Sequence, residues 1–90
     1  MNKKRFIEIL DSHGKESKHD LFIGSISGYR CIILKIFGNG IQRVIEVYKP
    51  RNYYLNEYAS DRLENERKLE VKYSIINTWF INWKKKNYKD

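Results

Sequence analysis

Tyr29-Arg30-Cys31-Ile32-Ile33-Leu34-Lys35-Ile36-Phe37-Gly38-Asn39-Gly40-Ile41-Gln42-Arg43-Val44-Ile45-Glu46-Val47-Tyr48 is the stretch that decides the fold class. Its two flanks are rich in β-branched and aromatic residues, which fit a pleated, half-buried surface. Between them, Gly and Asn tolerate the positive backbone dihedrals of a tight hairpin turn. The spacing therefore predicts two antiparallel strands, Tyr29 to Phe37 and Ile41 to Tyr48. Alternation places Ile32, Leu34 and Ile36 on one face of the first, and mainly Ile41, Ile45 and Val47 on one face of the second, with Arg43 interrupting that set.

Upstream of this hairpin, the run Leu21 to Ile26 predicts a further strand, joined to the first through Ser27-Gly28. Lys3 to Leu10 groups Phe6, Ile7, Ile9 and Leu10 within about one turn of a helix, and Gly14 is a suitable stop. His13 to Asp20 is polar, mixes charge signs and is expected to be a loop. On the other side, Pro50 ends the sheet and Asn52 can cap a helix from near Tyr53, with Leu55, Tyr58, Ala59 and Leu63 on its apolar stripe. Glu64 and Lys68 form a favourable i,i+4 pair.

The run after Arg67 supports two periods. Leu69, Val71, Tyr73 and Ile75 alternate like a strand, while Leu69, Tyr73, Ile76, Phe80 and Trp83 recur at helical steps. A helix is expected from about Ser74 to Lys86, leaving residues 66–75 open between helix and strand. The expected architecture is α+β: a short N-terminal helix, a three-stranded antiparallel sheet and a C-terminal helical region, in a single domain over residues 1–90.

Composition narrows the classes of function. The chain has 90 residues, 41% of them hydrophobic and 14% aromatic, which suits one folded core rather than disorder. Cys31 is the sole cysteine, so no intramolecular disulfide can form, and its apolar neighbours predict a buried thiol. No segment approaches the roughly 20 apolar residues of a membrane span, and the apolar stretch after Arg5 is too short for a signal peptide. A reducing compartment, cytoplasm or nucleus, is the expected location.

His13 and His19, with Asp11 and Asp20 nearby, lack a spacing that would converge on a metal or an acid/base site. The serines carry no nucleophile signature and the glycines form no phosphate-cradling loop. The acidic residues Glu57, Asp61, Glu64, Glu66 and Glu70 interleave with Arg62, Arg67 and Lys68, the pattern of a solvated helix face. Neither enzyme activity nor a cofactor is expected.

Net charge is +7, distributed as +1 over residues 1–20, +3 over 21–50, −1 over 51–70 and +4 over 71–90. A localised positive potential attracts an anionic partner. At about 100° per residue, Tyr73, Ile76, Trp79, Phe80 and Trp83 share one sector of the last helix, and Thr78, Ile81, Asn82 and Lys85 take the other. One face can dock on the body while the second meets a partner. Lysines neutralise phosphates, and an Asn amide can bond the edge of adenine in two places.

Ile76-Asn77-Thr78-Trp79-Phe80-Ile81-Asn82-Trp83-Lys84-Lys85-Lys86 resembles the recognition helix of homeodomains. The resemblance implies that Trp79 and Phe80 are core anchors, that Asn82 contacts a base, that Lys84 and Lys86 contact phosphates, and that Thr78, Ile81 and Lys85 line a DNA groove. It covers about eleven residues, and the hairpin upstream departs from the three-helix homeodomain scaffold. The order helix, three antiparallel strands, helix is also that of double-stranded RNA-binding domains, although Asn52 to Ala59 has no lysine cluster.

The expected function is binding of nucleic acid, DNA in the first instance, through Thr78, Ile81, Asn82, Lys84, Lys85, Lys86 and Lys89. Arg30, Arg43, Lys49 and Arg51 form a second basic set, and Tyr29, Tyr48, Tyr53, Tyr54, Tyr58 and Tyr88 are available to stack bases or meet a protein. The alternative is a small protein-interaction module, such as a virus- or mobile-element-encoded inhibitor of a host protein or nucleoprotein.

Overall fold

The structure is a computed structural model that describes residues 1–14, 18–37, 40–48 and 59–87, the last range with side chains from residue 64 onward. Helix α1 spans Lys3–Ser12, strands β1, β2 and β3 span His19–Ile26, Tyr29–Ile36 and Ile41–Val47, and helix α2 spans Ala59–Asn87. The expected α+β arrangement is the one observed. Pro50, Asn52 and the helical turns expected from Tyr53 to Tyr58 lie outside the described residues, as does the Gly38-Asn39 half of the second turn.

The helix α1 begins where the Asn2 side chain accepts the Arg5 backbone N–H at 2.8 Å, satisfying a donor that has no partner within the helix. Its apolar residues Phe6, Ile9 and Leu10 are buried. The strands follow as an antiparallel meander in the order β1-β2-β3. Ser27 and Gly28, with φ of +52° and +83°, are the two central residues of the β1–β2 turn, and Ile26 pairs with Tyr29 across it. Positive φ at both positions matches the twist of the flanking strands, and glycine takes it without a Cβ penalty.

The sheet has two unlike faces. Leu21, Ile32, Leu34, Ile36 and Ile45 join Phe6, Ile9 and Leu10 of α1 and Leu69, Ile76, Phe80 and Trp83 of α2 in one core. Phe22, Gly24 and Ile26 pair across with Ile33, Cys31 and Tyr29 on the other face. A Cβ at Gly24 would fall 2.9 Å from Ile33 Cδ1, so glycine is what lets Ile33 and Phe22 close over β1. Cys31 is buried there, as expected, with its thiol 3.7 Å from the Gly24 carbonyl oxygen.

Two expectations need correction. Ile32 pairs with Glu46 and Ile33 with Val44, so Ile45 is an extra residue in β3. Ile45 is buried on the core side, in step with Ile41 and Arg43 opposite Ile36 and Leu34, and the bulge then resets the alternation, which turns Val47, expected beside it, to the other face, 43% exposed opposite Cys31. In addition, His19 and Asp20 belong to β1 rather than to a loop. His19 pairs with Ile36, and its ring is buried edge-on against Trp83, centroids 5.2 Å apart, a contact no local pattern announces.

Residues 66–75 are helical, and α2 runs unbroken for 29 residues. The strand-like alternation arose because Val71 and Ile75 are apolar yet exposed on the side away from the core, interleaved with Leu69 and Tyr73 on the core side. Polar bonds fix the helix along its length. Asn65 Nδ2 donates to Tyr48 Oη at 2.6 Å, and the Tyr73 hydroxyl donates to the Leu21 carbonyl at 3.1 Å. The expected Glu64–Lys68 pair forms at 3.7 Å but is exposed and contributes little. No helix among the described residues is long and apolar enough to cross a membrane.

Because Phe6 is fully buried between the helices and the sheet, Phe6→Ala is expected to cost about 3–5 kcal/mol, read as a lower urea midpoint. Val71→Ala, at a position 60% exposed, is expected to stay within about 0.5 kcal/mol of the parent.

Candidate nucleic-acid interface

Burial sets the rotational phase of α2. Ile76, Phe80 and Trp83 are buried and Tyr73 and Trp79 are half-buried. At about 100° per residue the opposite side carries Thr78, Ile81, Asn82 and Lys85, all of them exposed. Trp83 is held twice, by the His19 ring and by its indole N–H, which donates to Asp11 Oδ1 at 2.9 Å. With both tryptophans anchored, the last turns of α2 project a fixed set of polar side chains.

From Val71 to Asn87 the helix carries Lys72, Lys84, Lys85 and Lys86 and no carboxylate. Lys84, Lys85 and Lys86 occupy its last turn and are exposed. Positive charge there also complements the partial negative charge of the helix C-terminus, so the cluster can form without repelling its own backbone. Lys84 Nζ lies 4.8 Å from the centre of the Phe80 ring, which steadies its stem. Among the described residues neither Lys85 nor Lys86 has an ion pair, and their charges face solvent.

The two helices run in the same direction over the sheet. At one end the Met1 ammonium and Lys72 Nζ meet the Glu46 carboxylate, the latter at 3.7 Å. In the middle the Phe6 ring lies 6.1 Å from Trp79 and 6.5 Å from Phe80, and at the other end Asp11 meets Trp83. Between the helices runs a groove of about 350 Å³, to which α1 contributes Lys3, Ile7 and Asp11, one helical turn apart, and α2 contributes Trp79, Asn82 and Lys86. Sequence reasoning missed Lys3 and Ile7 as companions of the C-terminal residues. The i,i+4 spacing of Lys3, Ile7 and Asp11 was visible, but which helix it would face was not.

The expected residues do not form one surface. Thr78, Ile81, Asn82, Lys84, Lys85 and Lys86 lie together on the last three turns of α2. Arg30 sits near the start of β2, six residues from Ile36, whose partner His19 contacts Trp83. That separation is about 20 Å along an extended strand. Arg43 is half-buried on β3 opposite Leu34. The second basic set is therefore not continuous with the helix through these two residues. Lys49, Arg51 and Lys89 lie outside the described residues, as do Tyr53, Tyr54, Tyr58 and Tyr88.

A larger cleft of about 600 Å³ separates β3 from the first half of α2, walled by Val47, Tyr48 and Leu69. It is also lined by Glu46, Glu64, Arg67, Lys68 and Lys72, of which Lys68 pairs with Glu64 and Lys72 with Glu46. Among the described residues no group of three His, Cys, Asp or Glu side chains is placed to hold a metal ion. The chemistry on offer at the end of α2 is that of recognition: ammonium groups for phosphates, amides for base edges and an indole for stacking.

No protein-family model, curated protein or solved structure matches the chain.

Replacing Asp11 removes the part-buried hydrogen bond that its carboxylate accepts from the Trp83 indole. Asp11→Ala is expected to lower stability by about 1–2 kcal/mol in urea unfolding, while Glu8→Ala, an exposed carboxylate on the same helix, is expected to change it by less than about 0.5 kcal/mol.

Proposed function

We propose that this protein binds nucleic acid through the exposed end of α2 from Thr78 to Lys86. The observation that carries the reading is the coincidence, on one rigid helix end, of three exposed lysines with an exposed amide at Asn82, all set by the burial of Trp83 and Phe80 behind them. Lys84, Lys85 and Lys86 act as phosphate contacts, which give affinity and position. Asn82 is the base contact, with Thr78 and Ile81 beside it. DNA is the first expectation, from the homeodomain-like string. That string lies here on a helix backed by a sheet and α1, so the docking geometry is not that of a three-helix domain. No catalytic step belongs to this reading, and no cofactor is required.

A lysine that neutralises a phosphate releases a condensed counterion, so affinity falls with salt in proportion to the number of contacts. The triple change Lys84→Gln, Lys85→Gln, Lys86→Gln is expected to flatten the slope of log K against log salt on duplex DNA by about 2–3. Fluorescence anisotropy titrations between about 50 and 200 mM salt measure it. An unchanged slope would move the interface elsewhere. Failure of DNA and RNA alike to bind at low salt would favour the protein-interaction module instead.

A further inference from the structure

We propose that the groove between α1 and α2 receives one unstacked base of a single-stranded nucleic acid, with the flanking backbone held by Lys3 at one end and Lys86 at the other. The inference rests on the nucleic-acid reading above and narrows its substrate from duplex to single strand. Three properties of the groove carry it.

The first is size. A volume of about 350 Å³ lies at the small end of the range for small-molecule sites, suited to a single nucleotide and not to the width of a duplex. The second is the chemistry of the walls. Ile7 and Trp79, both half-buried, give the groove apolar and aromatic surface from opposite helices. In a duplex the base faces are covered by their neighbours, so only a base outside the stack can use such a surface.

The third is the arrangement of charge. Asp11, whose Oδ1 accepts the Trp83 indole N–H, and Asn82 both line the groove between its two ends. A carboxylate repels phosphate but accepts the N–H groups of a base, and the amide both donates and accepts. The ammonium groups lie at the ends. Because α1 and α2 run in the same direction, Lys3 and Lys86 mark opposite ends of the groove, where the backbone on either side of an inserted base would pass. An interior that suits an uncharged base, between two cations that suit phosphates, is the pattern of a single-strand site.

The experiment compares binding of a labelled single strand of about 12 nucleotides with binding of the same sequence as a duplex, in the wild-type chain and in two charge reversals. Lys3→Glu and Lys4→Glu alter net charge equally at adjacent exposed positions, but only Lys3 lines the groove. Both are surface changes, and far-UV circular dichroism verifies that each variant folds. The expected result is single-strand binding about tenfold tighter than duplex binding, weakened about tenfold by Lys3→Glu and no more than about threefold by Lys4→Glu. Duplex bound as tightly as the single strand, or equal losses from the two reversals, overturns the groove site while leaving the α2 interface standing. Absence of binding to either form by the wild-type chain overturns both.

Discussion

Phe6 is where the two helices and the sheet meet. Its ring has no exposed surface and stands at tilted and edge-on angles to Trp79 and Phe80, within the same core as Leu34 and Ile36. A small α+β domain has one layer of helices to cover one face of a sheet, and here two helices of unequal length share that task. The shorter helix can serve only because its apolar residues are concentrated within two turns, and the longer one because its stripe continues to Trp83. Close packing at this point sets the distance between the helices, and interiors at crystal-like density leave little freedom to change it.

The orientation of the last turns of α2 follows from that constraint. Once Ile76, Phe80 and Trp83 face inward, the rotation of α2 is no longer free: Thr78, Ile81 and Lys85 must face outward, and Asn82 is exposed at the edge of the groove to α1. The contact between Trp83 and His19 extends the same logic to the helix end, tying its last turns to the first residue of β1. A lysine cluster on a frayed terminus would be a diffuse positive charge; on an anchored turn it has a fixed direction. The groove beside it is a consequence of covering a sheet with two convex cylinders, and its chemistry depends on which residues of α1 happen to face the gap.

Local patterns carried much of this. The antiparallel pairing of β2 with β3, the Ser27-Gly28 turn and the short first helix join near neighbours in the chain, so a few residues suffice to announce them. The division of the last helix into an anchoring and a presented face was legible for the same reason: helical phase is a local property. The homeodomain-like string followed from the same segment, and its limits were also local, since the hairpin upstream already spoke for another scaffold.

Backbone propensity and side-chain period act over a few residues, so the order of helix, three strands and helix, the charge near the end of the given sequence and the anchoring stripe of the last helix could be read along the chain. Tertiary structure decided the rest. It chose helix over strand for residues 66–75, where Val71 and Ile75 masked the core period and only the sheet could select Leu69 and Tyr73. It placed the β3 bulge that turned Val47 away from the core face, buried His19 against Trp83, and set Arg30 far from the lysines of α2. It also brought Lys3 and Asp11 to Asn82 and Lys86, residues more than seventy positions apart whose proximity depends on how two helices pack and not on any pattern along the chain.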